Sequence, residues 1–156
     1  MIHFVGAGSG AVDLITIRGA ELLKEADVII YAGSLVNPDL LNYAKDSCEI
    51  YDSAKMTLDE VLEKMFEAEK ENKMTVRLHT GDSSIYGAIR EQMDRLDEEG
   101  ISYDVCPGVS SFCGAAAALK AEYTLPDVSQ SVIITRMAGR TPVPEKESIA
   151  SFAEHG

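Results

Sequence analysis

Positive charge is scarce in this chain. Its 156 residues carry 14 Lys and Arg against 26 Asp and Glu, a net charge of −12 with histidine neutral. That balance excludes nucleic acid and anionic membrane surfaces as partners, because both repel an acidic protein. Much of the acid (Glu60, Glu63, Glu67, Glu91, Glu98, Glu99) falls on expected solvent faces of helices and reads as solvated surface. Long apolar runs are missing too: none approaches the roughly 20 residues of a membrane span. Met1-Ile2-His3 opens a strand rather than a signal peptide. Cysteine is sparse, and Cys48, Cys106 and Cys113 show no CxxC spacing. Buried free thiols in a reducing cytoplasm are expected, not a disulfide or a metal site. His3, His79 and His155 are scattered, so no metal ligand set is assigned. No GxxxxGK[ST] run offers a phosphate cradle. No Ser/His/Asp or Cys/His constellation offers a nucleophile, so no catalytic side chain is assigned.

What is present is enough apolar residue, 46%, for one ordinary domain with a core. Its organising stretch is His79-Thr80-Gly81-Asp82-Ser83-Ser84-Ile85-Tyr86-Gly87. Ahead of it, Met74, Val76 and Leu78 alternate with Thr75, Arg77 and His79, the period of a strand. Behind it, Ile85, Ile89, Met93 and Leu96 share one helical face. The stretch is therefore expected where a strand ends and a helix begins, with free helix N–H groups pointing into a ligand crevice. Gly81 allows close backbone approach, and Asp82, Ser83 and Ser84 can each cap the helix. A capped strand–helix turn with no ligand explains the same residues.

From the start of the chain, His3-Phe4-Val5 leads into Gly6-Ala7-Gly8-Ser9-Gly10-Ala11, formally a G-x-G-x-x-A dinucleotide fingerprint. The second strand, Val28-Ile29-Ile30-Tyr31-Ala32-Gly33, lacks the acid that would hold a ribose hydroxyl. The first helix also starts late, with Asp13 as the expected N-cap and Ile15, Gly19, Leu22 and Ala26 on one face. Both features count against NAD. Pro38 suits a first helical turn, Asp39 to Ala44 reads as a short helix, and Glu49-Ile50-Tyr51 as a short strand. Thr57-Leu58-Asp59-Glu60 fits a capping box, followed by the core stripe Leu58, Val61, Leu62, Met65 and Phe66. Gly100 ends the helix after the central loop. Ile101 to Val105 is a further strand running into Cys106-Pro107-Gly108-Val109-Ser110-Ser111. Phe112 to Lys120 is an alanine-rich helix whose small residues suit close packing on a sheet. This strand–helix alternation predicts a three-layer parallel α/β sandwich over residues 1–120. Residues 121–156 read as a linker and the incomplete start of a second α/β domain, with a strand at Val132-Ile133-Ile134 and a short helix around Ile149, Phe152 and Ala153.

Taken together, these segments resemble the tetrapyrrole methylases, S-adenosylmethionine enzymes that methylate corrin precursors. The resembling pieces are Val5-Gly6-Ala7-Gly8-Ser9-Gly10, Asp13-Leu14-Ile15-Thr16, Thr80-Gly81-Asp82 with Tyr86-Gly87, and Pro107-Gly108-Val109-Ser110-Ser111. Tyr31-Ala32-Gly33-Ser34-Leu35-Val36, His79-Thr80-Gly81-Asp82, and Thr135-Arg136 with Gly139-Arg140-Thr141-Pro142-Val143-Pro144 are most like the branch that methylates C-11 of precorrin-4 or its cobalt form. Two departures stand out: Ser9 and Ser83 occupy positions where the family usually has proline. Serine at position 83 should leave that loop less rigid.

The resemblance implies an S-adenosylmethionine-dependent methyltransferase of cobalamin synthesis. It is expected in the cytoplasm, as a homodimer, acting on a small tetrapyrrole. The cofactor would contact Ser9, Gly81, Asp82, Ile85, Tyr86, Ser110 and Ser111. Arg136 and Arg140 are the candidates for the substrate's carboxylates. The other readings are another tetrapyrrole methylase, of precorrin-2 or precorrin-3 type, an NAD-dependent oxidoreductase, or a non-catalytic binding domain.

Overall fold

The computed structural model describes residues 1–139 and 141–154, the side chain of Ser34 apart. It divides into two compact units, 1–118 and 119–156.

The first unit is built on five parallel strands: β1 (Ile2–Gly6), β2 (Val28–Tyr31), β3 (Glu49–Asp52), β4 (Thr75–His79) and β5 (Tyr103–Cys106). Their order across the sheet is β3-β2-β4-β1-β5. One face carries α1 (Ile17–Glu25), where Leu23 and Ala26 pack with Val5, Ile29, Val76 and Leu78. The other carries α2 (Leu58–Lys70) and α3 (Arg90–Glu98), where Val61, Leu62, Met65 and Leu96 pack with Ile2, Phe4, Val28 and Ile30. Helices on both faces bury a parallel sheet from both sides, as the alternation of elements predicts.

The capping box at the head of α2 is present. Thr57 Oγ1 accepts from the Glu60 amide at 3.3 Å, and the Glu60 carboxylate accepts from the Thr57 amide at 2.7 Å. Other local expectations change. α1 is capped by Thr16, whose hydroxyl accepts from the Gly19 amide at 3.1 Å, and not by Asp13, which lies in a separate 3₁₀ turn, Val12–Leu14. Residues Pro38–Tyr43 form a 3₁₀ helix. The strand at β4 is buried along its whole length, so Thr75, Arg77 and His79 are core residues beside Val76 and Leu78. Alternation there marks two covered faces, because β4 is the central strand. α4 (Ser111–Leu119) buries none of its residues, contrary to the close sheet packing its alanines suggest. Its close approach is instead to the turn after β1, where a β-carbon on Gly114 would lie 2.6 Å from that of Ser9.

In the second unit, Leu125 and Ser129 form an antiparallel bridge, a 3₁₀ turn spans Glu145–Glu147, and α5 (Ile149–Phe152) is capped by Ser148. Val132-Ile133-Ile134 is not a strand; all three are close to half exposed. An extended segment becomes a strand only when a regular ladder of backbone hydrogen bonds forms along it.

Candidate functional site

The sheet order creates a crevice. The chain leaves β1 toward the α1 face and leaves β4, its neighbour, toward the α3 face. Adjacent parallel strands whose connections diverge this way open a ligand cleft at their carboxyl ends.

Three turns meet there, backbone against backbone. Gly8 and Gly81 exchange hydrogen bonds, the Gly8 amide donating at 3.1 Å and the Gly81 amide at 3.0 Å. A β-carbon at Gly108 would lie 2.2 Å from the Gly81 carbonyl oxygen and 2.7 Å from Gly6 Cα. One at Gly6 would lie 2.6 Å from both Gly108 Cα and the Gly81 oxygen. No side chain fits in these spaces. The turns after β1, β4 and β5 therefore lock together through Gly6, Gly81 and Gly108.

Asp82 adds a polar tie. One carboxylate oxygen accepts from the Gly108 amide at 2.8 Å, and the other accepts from the Ser84 amide at 2.9 Å and from the Ser84 hydroxyl. Burial alone would raise the Asp82 pKa, but the Ser84 hydroxyl and the two amides together hold it below the usual carboxylate value.

Asp82 does not cap a helix. α3 begins at Arg90, so residues 80–89 are an irregular loop and not the first turn of a helix. The helix-terminus site expected at Gly81 is absent, and Ile85 is a partly exposed loop residue. Tyr86 (φ 57°) and Ala88 (φ 51°) adopt left-handed backbone. That costs a residue with a β-carbon about 1 kcal/mol or more, so no regular helix can continue through them.

Over these turns lies a cavity of about 310 Å³, within the range of small-molecule sites. Ser9, Gly81, Asp82, Ile85, Tyr86, Ser110 and Ser111 all line it. Gly8, Gly10 and Thr80 line it as well; they lie in the glycine turn and the organising stretch but are not among the assigned contacts, and Leu35 joins them. Leu35 reaches it because the loop after β2 stands beside that after β4. The Tyr31–Val36 stretch was a sequence signal for this.

The Ser9 hydroxyl is buried at this wall without a hydrogen-bond partner among the described residues. An unpartnered hydroxyl in a lining that also holds Ser110 and Ser111 suits a ligand with neutral donors and acceptors. The same geometry disfavours a dinucleotide: α1 starts at Ile17, away from the glycine turn, and β2 ends on Tyr31 without an acid.

Of the two substrate candidates, Arg136 belongs to the second unit. Arg136 directs both terminal nitrogens into its own loop, donating to the carbonyls of Met137 (3.3 Å), Thr141 (3.1 Å) and Pro142 (3.0 Å) and to the Thr141 hydroxyl (2.9 Å). This guanidinium clamps the loop; it is not a fork held open for a carboxylate. Arg140 lies outside the described residues. The described residues hold no group of three or more His, Cys, Asp or Glu placed to bind a metal ion, and no helix long and apolar enough to cross a membrane.

Comparison with known proteins adds to this geometry. The pattern of the Tetrapyrrole (Corrin/Porphyrin) Methylases matches residues 1–156. The chain belongs to this family. It is 58% identical, over 154 residues, to the cobalt-precorrin-4 C(11)-methyltransferase of Methanocaldococcus jannaschii, covering 99% of this chain and 60% of that protein. A crystal structure of a cobalt precorrin-4 methyltransferase superposes with a TM-score of 0.95 at 49% identity, covering 99% of this chain and 64% of the other. A uroporphyrin-III C-methyltransferase from Thermus thermophilus, solved with S-adenosylhomocysteine, is 30% identical with a TM-score of 0.66, covering 74% of this chain and 51% of that one. The chain thus spans under two thirds of the length of these relatives.

Proposed function

We propose that this chain forms the S-adenosylmethionine-binding part of a methyltransferase acting at C-11 of precorrin-4 or cobalt-precorrin-4. The observation that carries this reading is the cavity over the Gly6–Gly81–Gly108 lock. It offers peptide groups and hydroxyls but no cationic side chain. S-adenosylmethionine has no phosphate to neutralise, so such a lining suits it. The activities for which the relatives are named, and the S-adenosylhomocysteine in the Thermus thermophilus structure, support the same choice.

In this reading Ser9, Ser110 and Ser111 supply hydroxyls, and the paired Gly8 and Gly81 backbone forms a floor without side chains. Asp82 holds the Gly81 turn against Gly108, and Ile85, Tyr86 and Leu35 form apolar walls. The cofactor supplies a sulfonium-bound methyl group already electrophilic enough to transfer. The residues of this chain therefore need only bind, align and exclude water, which is where proximity contributes most. Of the expected buried thiols only Cys106 is buried, Cys48 being half-buried and Cys113 exposed; a reducing cytoplasm and a homodimer are part of the same reading.

Calorimetric titration of this chain with S-adenosylhomocysteine and, separately, NAD tests the reading. Heat with the first alone is expected. Binding of NAD without S-adenosylhomocysteine would overturn it.

A further inference from the structure

Strand β4 carries a buried arginine that the site described above does not use. Arg77 is 6% exposed, and no salt bridge among the described residues includes it. Its Nε donates to Gln92 Oε1 at 3.1 Å, and a terminal nitrogen donates to the Ile30 carbonyl of β2 at 3.0 Å. Burial lowers its pKa to about 10, which leaves it charged at neutral pH. A buried cation without a carboxylate is a costly way to fill a core, and an apolar side chain of similar volume often does better. What Arg77 does for its neighbour accounts for it.

Gln92 is 4% exposed in the first turn of α3, and its Nε2 donates to the Ala88 carbonyl at 3.1 Å. A glutamine amide can turn over, exchanging its oxygen and nitrogen, unless its partners distinguish them. An arginine only donates, so Arg77 holds Oε1 toward β4 and leaves the NH₂ facing Ala88. Ala88 and Tyr86 carry the left-handed backbone that ends the loop over the cavity, and Ile85 and Tyr86 form one of its walls.

We propose that Arg77 is a positioning residue: acting through the Gln92 amide, it fixes the Tyr86–Ala88 segment and so the wall of the candidate cofactor cavity. This rests on the reading of that cavity as an S-adenosylmethionine site. Asp82 ties the near end of the loop to Gly108, and the Arg77–Gln92 relay ties the far end to the sheet.

The test uses Gln92→Glu and Arg77→Met in the whole chain. Gln92→Glu gives Arg77 an ion-pair partner while removing the donor to Ala88, so it breaks the relay without leaving a charge unpaired. Expected results for Gln92→Glu are a thermal midpoint no lower than the parent's, a five- to tenfold weaker Kd for S-adenosylhomocysteine, and at least tenfold faster amide exchange at residues 84–89, with β1 and β4 unchanged. Arg77→Met should loosen the same amides. Parent-like affinity, or parent-like exchange at 84–89, in Gln92→Glu would overturn the proposal. Failure of the parent chain to bind S-adenosylhomocysteine would count against the cofactor reading instead. The exchange comparison would then still decide whether the relay orders the wall.

Discussion

Gly8 and Gly81 pair through both of their peptide groups, joining the turns after the adjacent strands β1 and β4 into one short antiparallel bridge. Gly108 packs against the Gly81 carbonyl. The floor of the candidate site is therefore made of backbone, and its shape depends on the absence of side chains.

Gly108→Ala should accordingly destabilise the chain by on the order of 3 kcal/mol, because a methyl 2.2 Å from a carbonyl oxygen forces the turns apart. Gly139→Ala, with nothing within 4 Å and no left-handed backbone, should shift stability by less than about 0.5 kcal/mol. Urea unfolding of the two variants checks the contrast; equal losses would contradict the lock.

Asp82→Asn should lower stability at pH 7 by about 1 kcal/mol, since an amide NH₂ replaces one of the acceptors facing the Gly108 and Ser84 amides. The folded pKa of Asp82 lies below its unfolded value near 3.8. Its contribution is thus present above that value and is lost as pH falls through the folded pKa. The gap between parent and variant should narrow below about pH 3.8. A gap constant from pH 7 to 3, measured by urea midpoints, would count against the tie.

His79 should make the protein acid-sensitive. It is 4% exposed, its ring stacks on Phe4 at 6.2 Å between centroids, and its Nε2 has no partner among the described residues. Burial, reinforced by the nearby Arg77 charge, depresses its pKa from 6.5 to about 3. Between those values the unfolded chain binds a proton that the folded chain refuses. Stability is complete above pH 6.5 and declines toward pH 3, by up to about 1.4 kcal/mol per pH unit. His79→Leu should flatten that slope in urea titrations across pH 7 to 4.5; an unchanged slope would show that other groups cause it.

Thr57→Ala should cost about 1 kcal/mol through loss of the α2 cap. Thr57→Ser, which keeps the acceptor, should recover most of it. Thermal unfolding of both variants distinguishes capping from simple loss of side-chain volume.

Much of this fold is legible locally. The five strands, the Thr57–Glu60 box and the stripe of Val61, Leu62 and Met65 follow from period and capping chemistry, which act within a few residues. Where an outcome depended on another segment, local reading failed. Ile85 has the right spacing for α3, yet the left-handed Tyr86 and Ala88 delay the helix to Arg90. Val132 to Ile134 have strand composition but form no strand. Arg77 and His79 sit at alternating positions that would face solvent in an edge strand, and the central place of β4 buries them.

The sequence alone determined the five strands, the capped α2 and the glycine, serine and aspartate content of the strand-end turns, because propensity and turn chemistry are properties of short segments. Only the tertiary structure decided that β4 lies between β1 and β2. That order brings Gly8 to Gly81, Leu35 to the cavity, and Gln92 between Arg77 and Ala88. Strand order follows from which apolar faces bury one another across the whole sheet, a condition that no single stretch of chain contains.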